Sequence, residues 1–222
     1  KFRTTSDTEV ILQGYKKWSK ECVKHFRGMF AFALWDEQNH VLFCARDRFG
    51  IKPFYYTQYK DRFFFASEAK ALLPFVYNID TDLGGLKDYL TFQFCLAGKT
   101  LFRDIFELLP ACTLTVKNGS ITTSKYWDVY FDPQHGKKSS YFEDELRSLW
   151  ENSIKAHLCS DVPIGAYVSG GLDSSTVASV ANNYLQNGDL YTFTGKFSTF
   201  GKEFDESKYA RAAQLAKEVI DE

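Results

Sequence analysis

The stretch Pro163-Ile164-Gly165-Ala166-Tyr167-Val168-Ser169-Gly170-Gly171-Leu172-Asp173-Ser174-Ser175-Thr176-Val177-Ala178-Ser179 decides how this chain is organised. An apolar run, Ile164 to Val168, meets a Ser-Gly-Gly turn, and an Ala/Val-rich helical pattern follows. That order reads as a buried strand, a tight turn and a helix start. Adjacent glycines reach backbone conformations closed to other residues and let a ligand approach their N–H groups. Ser174 or Ser175 can cap the helix. Its N-terminus offers free N–H donors and a partial positive charge, which together suit an anion such as phosphate.

Gly and Ser are also ordinary turn residues, so a plain strand-to-helix connection competes for Ser-Gly-Gly alone. The turn has no lysine and matches neither common nucleotide fingerprint, the lysine-bearing phosphate loop or G-x-G-x-x-G. The whole string S-G-G-L-D-S-S behind an apolar strand is far more specific. It resembles the PP-loop of ATP pyrophosphatases, enzymes that split ATP between its α and β phosphates. On that reading Asp173 adds a carboxylate beside the phosphates, where Mg²⁺ shared with phosphate oxygens is the expected arrangement.

The rest of the chain sets the frame. Its 222 residues can form one large domain or two small ones, and 45% hydrophobic with 17% aromatic content supplies packed cores. A net charge of −1 gives no bulk electrostatic reason to bind nucleic acid or a membrane surface. No apolar run approaches the ~18 residues of a membrane span, and no signal-peptide pattern opens the chain. Five scattered cysteines (Cys22, Cys44, Cys95, Cys112, Cys159), none in C-x-x-C spacing, predict reduced thiols in a cytoplasmic protein. The four histidines show no metal-ligand spacing. The chain starts at Lys1 in mid-pattern, has Met29 as its only methionine and stops at Glu222 inside a helical pattern, so a fragment is expected.

Along the first half, Ser6-Asp7-Thr8-Glu9 reads as a capping box opening a helix to about Glu21, with Asp7 stabilising its first turn. Phe26–Trp35 pairs with Val41–Ala45, and Pro53–Thr57 with Arg62–Ala66, which suggests an antiparallel sheet. The charged run Arg46-Asp47-Arg48-Phe49-Gly50 between the pairs reads as a solvated turn. Ser67 to Leu73 predicts a short helix stopped by Pro74, and Asp82–Phe92 another. Asn118-Gly119 joins Pro110–Val116 to Ser120–Tyr126 as a hairpin. Residues 128–140 hold Pro, Gly, Lys and Ser without periodicity and predict a linker. Beyond it the pattern alternates: helix 141–158, strand 164–168, helix 174–187, strand 190–194, helix 205–219. Such alternation means a parallel sheet with helices on its faces, and open α/β sheets bind ligands at the carboxyl ends of their strands.

Both halves resemble one family, the glutamine-dependent asparagine synthetases. The first half carries Thr5-Ser6-Asp7-Thr8-Glu9-Val10, Gly28-Met29-Phe30-Ala31-Phe32-Ala33-Leu34, Arg46 to Pro53, Ala66 to Leu72, and Leu101-Phe102-Arg103 through Leu109-Pro110. The second carries His157-Leu158 through Ser175. The resemblance implies two domains of α/β and α+β class. Residues 1–127 would be part of an N-terminal-nucleophile αββα glutaminase sandwich, and 141–222 the start of a parallel-sheet PP-loop ATP-binding domain.

The resemblance also implies a reaction. Glutamine is hydrolysed through a thioester to release ammonia, MgATP adenylates the side-chain carboxylate of aspartate, and ammonia attacks the adenylate to give asparagine, AMP and pyrophosphate. Substrates would be glutamine, aspartate and ATP, with Mg²⁺ as cofactor, no nucleic acid or membrane partner, and a homodimer compatible with the family. Asp7 would hold the α-amino group of glutamine. Tyr167, Ser169, Gly170, Gly171, Leu172, Asp173, Ser174, Ser175 and Gly195 would contact ATP, with Asp173 on the metal; Tyr167 and Gly195 depart from the commonest family pattern. Arg46 to Gly50 matches a family string for which a structural role is expected. The family's nucleophilic cysteine would lie upstream of Lys1, so no catalytic residue is expected within the chain and the fragment alone should be inactive. Two alternatives stay open: a relative acting on another carboxylate, such as a β-lactam synthetase or a surface-polysaccharide amidotransferase, and a non-catalytic scaffold.

Overall fold

The computed structural model describes residues 2–185 and 190–195. The chain divides into two compact units, one ending at Phe131 and the other beginning at Asp132.

In the first unit, α1 (Asp7–Trp18) starts at Ser6, whose side chain accepts the Thr8 N–H, and continues into a 3₁₀ helix, Ser19–Lys24. Strands β1 (Ala31–Asp36) and β2 (Val41–Arg46) follow, then β3 (Tyr55–Tyr59) and β4 (Arg62–Ala66). A 3₁₀ helix (Ala69–Phe75), α2 (Leu83–Phe92), β5 (Phe106–Glu107), β6 (Cys112–Lys117) and β7 (Ser120–Lys125) complete it. All pairings are antiparallel, but the strands form two sheets rather than one: β1-β2-β6-β7 and β4-β3-β5.

The period-2 pleat explains why two sheets form. Ala31, Ala33, Leu42, Cys44 and Leu114 leave one face of the first sheet and pack with Phe54, Tyr56, Phe63 and Leu108 from the second sheet and its flank. Phe32, Phe43 and Ala45 leave the other face and meet Tyr15 of α1 with Cys22 and Val23 of the first 3₁₀ helix. On the outer side of the second sheet Phe64 stacks on Phe75 at 4.4 Å between ring centroids. The layers therefore run helix, sheet, sheet, helix: the αββα sandwich expected from the resemblance. Full burial of a side chain such as Phe43 or Leu114 contributes about 1.5–3 kcal/mol.

Several local expectations need correction. Residues 26–30 are not strand: the Phe30 N–H donates to the Asp47 side chain and the Phe30 carbonyl accepts the Asp47 N–H, so long-range bonds claim this backbone. Pro74 lies inside its 3₁₀ helix rather than stopping it. Glu9 does not close a capping box on Ser6; its carboxylate accepts from the Arg3 and Thr4 N–H groups, which hold it below the usual carboxylate range. The Asn118-Gly119 turn is as expected, with φ of 51° and 76°, and Asp82 caps α2 by accepting the Gly85 N–H at 2.6 Å.

In the second unit, α3 (Ser139–His157) precedes β8 (Gly165–Tyr167), α4 (Leu172–Tyr184) and β9 (Tyr191–Phe193). β8 and β9 pair in parallel, Gly165 opposite Tyr191 and Tyr167 opposite Phe193. A parallel pair needs a crossover, and α4 supplies it. The opening of a parallel sheet is thus in place. The expected helix 205–219 lies outside the described residues.

Candidate functional site

β8 is not the buried strand expected, since Gly165 and Tyr167 are exposed at its ends; the burial falls on Val168, 3% exposed, just after it, and the turn begins at Ser169. Gly170 takes φ of 84°, a conformation that favours glycine, whereas Gly171 has an ordinary φ of −74° and serves as the N-cap of α4. Neither Ser174 nor Ser175 caps the helix, contrary to expectation: α4 starts at Leu172, which places both serines inside it. The Ser174 hydroxyl instead reaches back to the turn. It accepts the Ser169 N–H at 3.2 Å, lies 3.1 Å from Ser169 Oγ and donates to the Gly171 carbonyl at 3.3 Å. Ser169 Oγ in turn accepts the Gly171 N–H at 3.3 Å. With the Ser174 proton on Gly171, Ser169 is the donor between the two hydroxyls, and the ring of bonds closes.

That network fixes the turn while sparing its outward donors. The first intrahelical bond of α4 runs from the Ser175 N–H to the Gly171 carbonyl at 3.1 Å. The N–H groups of Leu172, Asp173 and Ser174 precede it and have no carbonyl one turn back. Leu172 is 84% exposed, so these donors face outward beside a helix N-terminus, the charge environment that favours an anion. Ser175 Oγ is buried at the same helix end without a hydrogen-bond partner among the described residues.

Asp173 is exposed in the first turn and carries no ion pair among the described residues. No group of three His, Cys, Asp or Glu that could hold a metal occurs among those residues. One free carboxylate fits a divalent cation only if phosphate oxygens complete the shell. The donor set therefore suits a metal–nucleotide pair rather than a metal alone.

The other predicted contacts of this unit converge on the same edge. Tyr167, 85% exposed, lies one residue before Val168 with its ring 6.0 Å from that of Phe193 across the parallel pair. Gly195 is exposed two residues beyond Phe193. The structure thus brings Tyr167, the 169–175 turn and Gly195 to the carboxyl ends of two neighbouring strands. Sequence reasoning missed Thr194, whose hydroxyl donates to the Val168 carbonyl at 2.8 Å; a lone Thr at a strand end gives no signal.

Asp7 belongs to the first unit, where it stands exposed at the first position of α1. The Arg46–Gly50 segment is not a solvated turn. Asp47 is 1% exposed and accepts the N–H groups of Phe30, Phe49, Ile51 and Lys52 at 3.0–3.2 Å. Burial pushes its carboxyl up, but these four donors together outweigh burial and leave it below the usual aspartate value. Arg46 donates to the carbonyls of Lys52, Leu108 and Gly50 and pairs with Glu107 at 2.8 Å.

Cys22, Cys44 and Cys112 are buried, and burial raises their thiols, Cys22 to about 11 and Cys44 to about 12. Cys95 is also raised, by burial first, and donates to the Gly85 carbonyl, while Cys159 is exposed. All five thiols are free, and no helix among the described residues is long and apolar enough to cross a membrane.

Comparison with known proteins assigns the two parts separately. The glutamine amidotransferase domain family matches residues 1–127, and the asparagine synthase family matches residues 145–218. Glutamine-hydrolyzing asparagine synthetase 1 of Bacillus subtilis is 39% identical over 96% of this chain and 33% of its own length. Glutamine-hydrolyzing asparagine synthetase 3 of the same organism is 36% identical over 94% of this chain and 34% of its own. The amidase chry2 of Gibberella zeae is 30% identical over the whole chain and 34% of its own length. The chain spans about a third of the length of these curated relatives.

Proposed function

The chain belongs to the glutamine amidotransferase domain family, and from that premise we propose that the protein at full length makes asparagine, amidating aspartate with ammonia released from glutamine and using ATP. The observation that carries this reading is the strand–turn–helix at the carboxyl end of β8, with outward N–H groups from Leu172 to Ser174 and the free Asp173 carboxylate beside them. Those amides would hold the β and γ phosphates. The aspartate side-chain carboxylate then attacks the α phosphorus, the bond to pyrophosphate breaks, and ammonia displaces AMP from the acyl carbon. The fixed N–H dipoles act where negative charge grows on the leaving pyrophosphate. Mg²⁺, held by Asp173 and phosphate oxygens, would neutralise part of that charge. Tyr167 and Gly195, at the neighbouring strand ends, would contact the nucleoside. In the other unit Asp7 would pair with the α-ammonium of glutamine. Reduced thiols agree with a cytoplasmic enzyme.

On the same reading the 222-residue chain by itself neither hydrolyses glutamine nor makes asparagine. Cys22, Cys44 and Cys112 are buried, and burial raises all three, which disfavours the thiolate a nucleophile needs. Glutaminase activity in the purified chain would overturn this. The runner-up is a relative with the same two domains acting on another acceptor carboxylate. Pyrophosphate release by the full-length protein with MgATP separates the two: it should require aspartate and yield asparagine with glutamine or ammonium, whereas release without aspartate would refute the proposed acceptor.

A further inference from the structure

β8 and β9 pair in parallel through Tyr167 opposite Phe193, so Val168 comes next opposite Thr194. In a parallel ladder a residue donates to the one before its partner and accepts from the one after it. Val168 obeys the first half: its N–H donates to the Phe193 carbonyl at 2.9 Å. By the second half its carbonyl would accept the Gly195 N–H. It accepts the Thr194 hydroxyl instead, at 2.8 Å, and the Gly195 N–H has no partner among the described residues.

The Val168 carbonyl and the Ser169 N–H belong to one rigid peptide plane. Thr194 holds that plane on its oxygen side, and Ser174 holds it on its nitrogen side through the 3.2 Å bond from Ser169. This plane sets the direction in which the chain enters Gly170 and Gly171. A side chain has taken the place of a backbone donor, and the exchange leaves a backbone amide open at the edge where the turn presents its own.

We propose that Thr194 is a positioning residue for the 169–175 turn. Its hydroxyl pins the peptide leading into Ser169 and keeps the Gly195 N–H available to the nucleotide. The proposal rests on the nucleotide reading above and names a residue that reading does not use.

The test compares Thr194→Val, which keeps the shape and removes the donor, with Thr194→Ser, which keeps the donor, in the full-length protein. Pyrophosphate release gives KM for MgATP and for aspartate, and equilibrium dialysis against MgATP gives affinity without turnover. Thr194→Val should raise KM and Kd for MgATP roughly tenfold, as expected for loss of one well-made hydrogen bond. KM for aspartate and the melting temperature should stay near the parent values, and Thr194→Ser should restore ATP affinity to within about twofold. If Thr194→Val does not fold, Thr194→Cys, whose thiol is a weak donor, should show the same selective loss. Unchanged ATP affinity in the donor-free variant, or an equal rise in both KM values, would overturn the positioning role. An unaltered protein that binds no MgATP would instead refute the nucleotide reading itself.

Discussion

Two turns in this chain follow a strand end and carry an aspartate, yet they stand in opposite electrostatic situations. At the end of β2, Asp47 is sealed inside and four backbone N–H groups answer it, while the Arg46 guanidinium is used up on three carbonyls and Glu107. At the end of β8, Asp173 faces out without an ion pair among the described residues, and the amides around it have no carbonyl to bond. A charged motif whose needs are met within the chain is structural. One whose donors and acceptor remain unmet among the described residues is open to a ligand, as proposed above. The residue types they share, Gly and Asp, do not distinguish the two; their partners do.

The comparison breaks most sharply at the two aspartates. Asp47→Ala should cost about 3–5 kcal/mol in urea denaturation, because it leaves buried donors without their acceptor. Asp173→Ala should stay within about 0.5 kcal/mol of the parent, as exposed positions do. ATP-dependent pyrophosphate release should nevertheless fall on the order of 100-fold in Asp173→Ala, as when a charge-stabilising group is removed. Equal destabilisation by both substitutions would erase the distinction.

Arg46→Lys comes next. A single ammonium cannot reproduce the fork that reaches the Lys52, Leu108 and Gly50 carbonyls, so a loss of about 2 kcal/mol is expected in the same unfolding assay.

Acid titration sharpens the contrast further. The folded carboxyl of Asp47 lies below its ordinary value, so its contribution is complete above the unfolded value of about 3.9 and disappears as pH falls through the lower folded value. The stability gap between the parent and Asp47→Asn should therefore hold constant above about pH 5 and shrink below about pH 4. A gap that instead widens on acidification would contradict the four-donor account.

The smallest effect is expected at Ser174. Replacing it by Ala removes the ring of bonds to Ser169 and Gly171 at a partly exposed site, so stability should fall by about 1 kcal/mol or less while Kd for MgATP rises several-fold.

Much of this is legible in the sequence alone. Arg62–Ala66 is a strand with the expected bounds, the helix expected over Asp82–Phe92 runs from Leu83 to Phe92, and Asn-Gly closes the hairpin, because each depends on residues near one another. What escaped depends on distant partners. β5 is only Phe106–Glu107, too short for a periodic signal, and it pairs with β3 while Glu107 answers Arg46. Residues 26–30 look like strand until Asp47 claims the Phe30 amide. The two hairpins read as one sheet because alternation shows which residues share a face, but not what covers it. At the candidate site the turn was visible in Ser-Gly-Gly-Leu-Asp-Ser-Ser, but its cap was not. Ser174 serves the turn rather than the helix end, and Thr194 acts across the sheet.

The most direct test of the central claim is amide hydrogen exchange on the full-length protein with and without MgATP. Exchange at Gly170 and at Leu172 to Ser174 should slow when MgATP is added. The amides of Phe49, Ile51 and Lys52, already bonded to Asp47, should be protected beforehand and should not change. Turn amides that exchange at the same rate with and without MgATP would contradict the account.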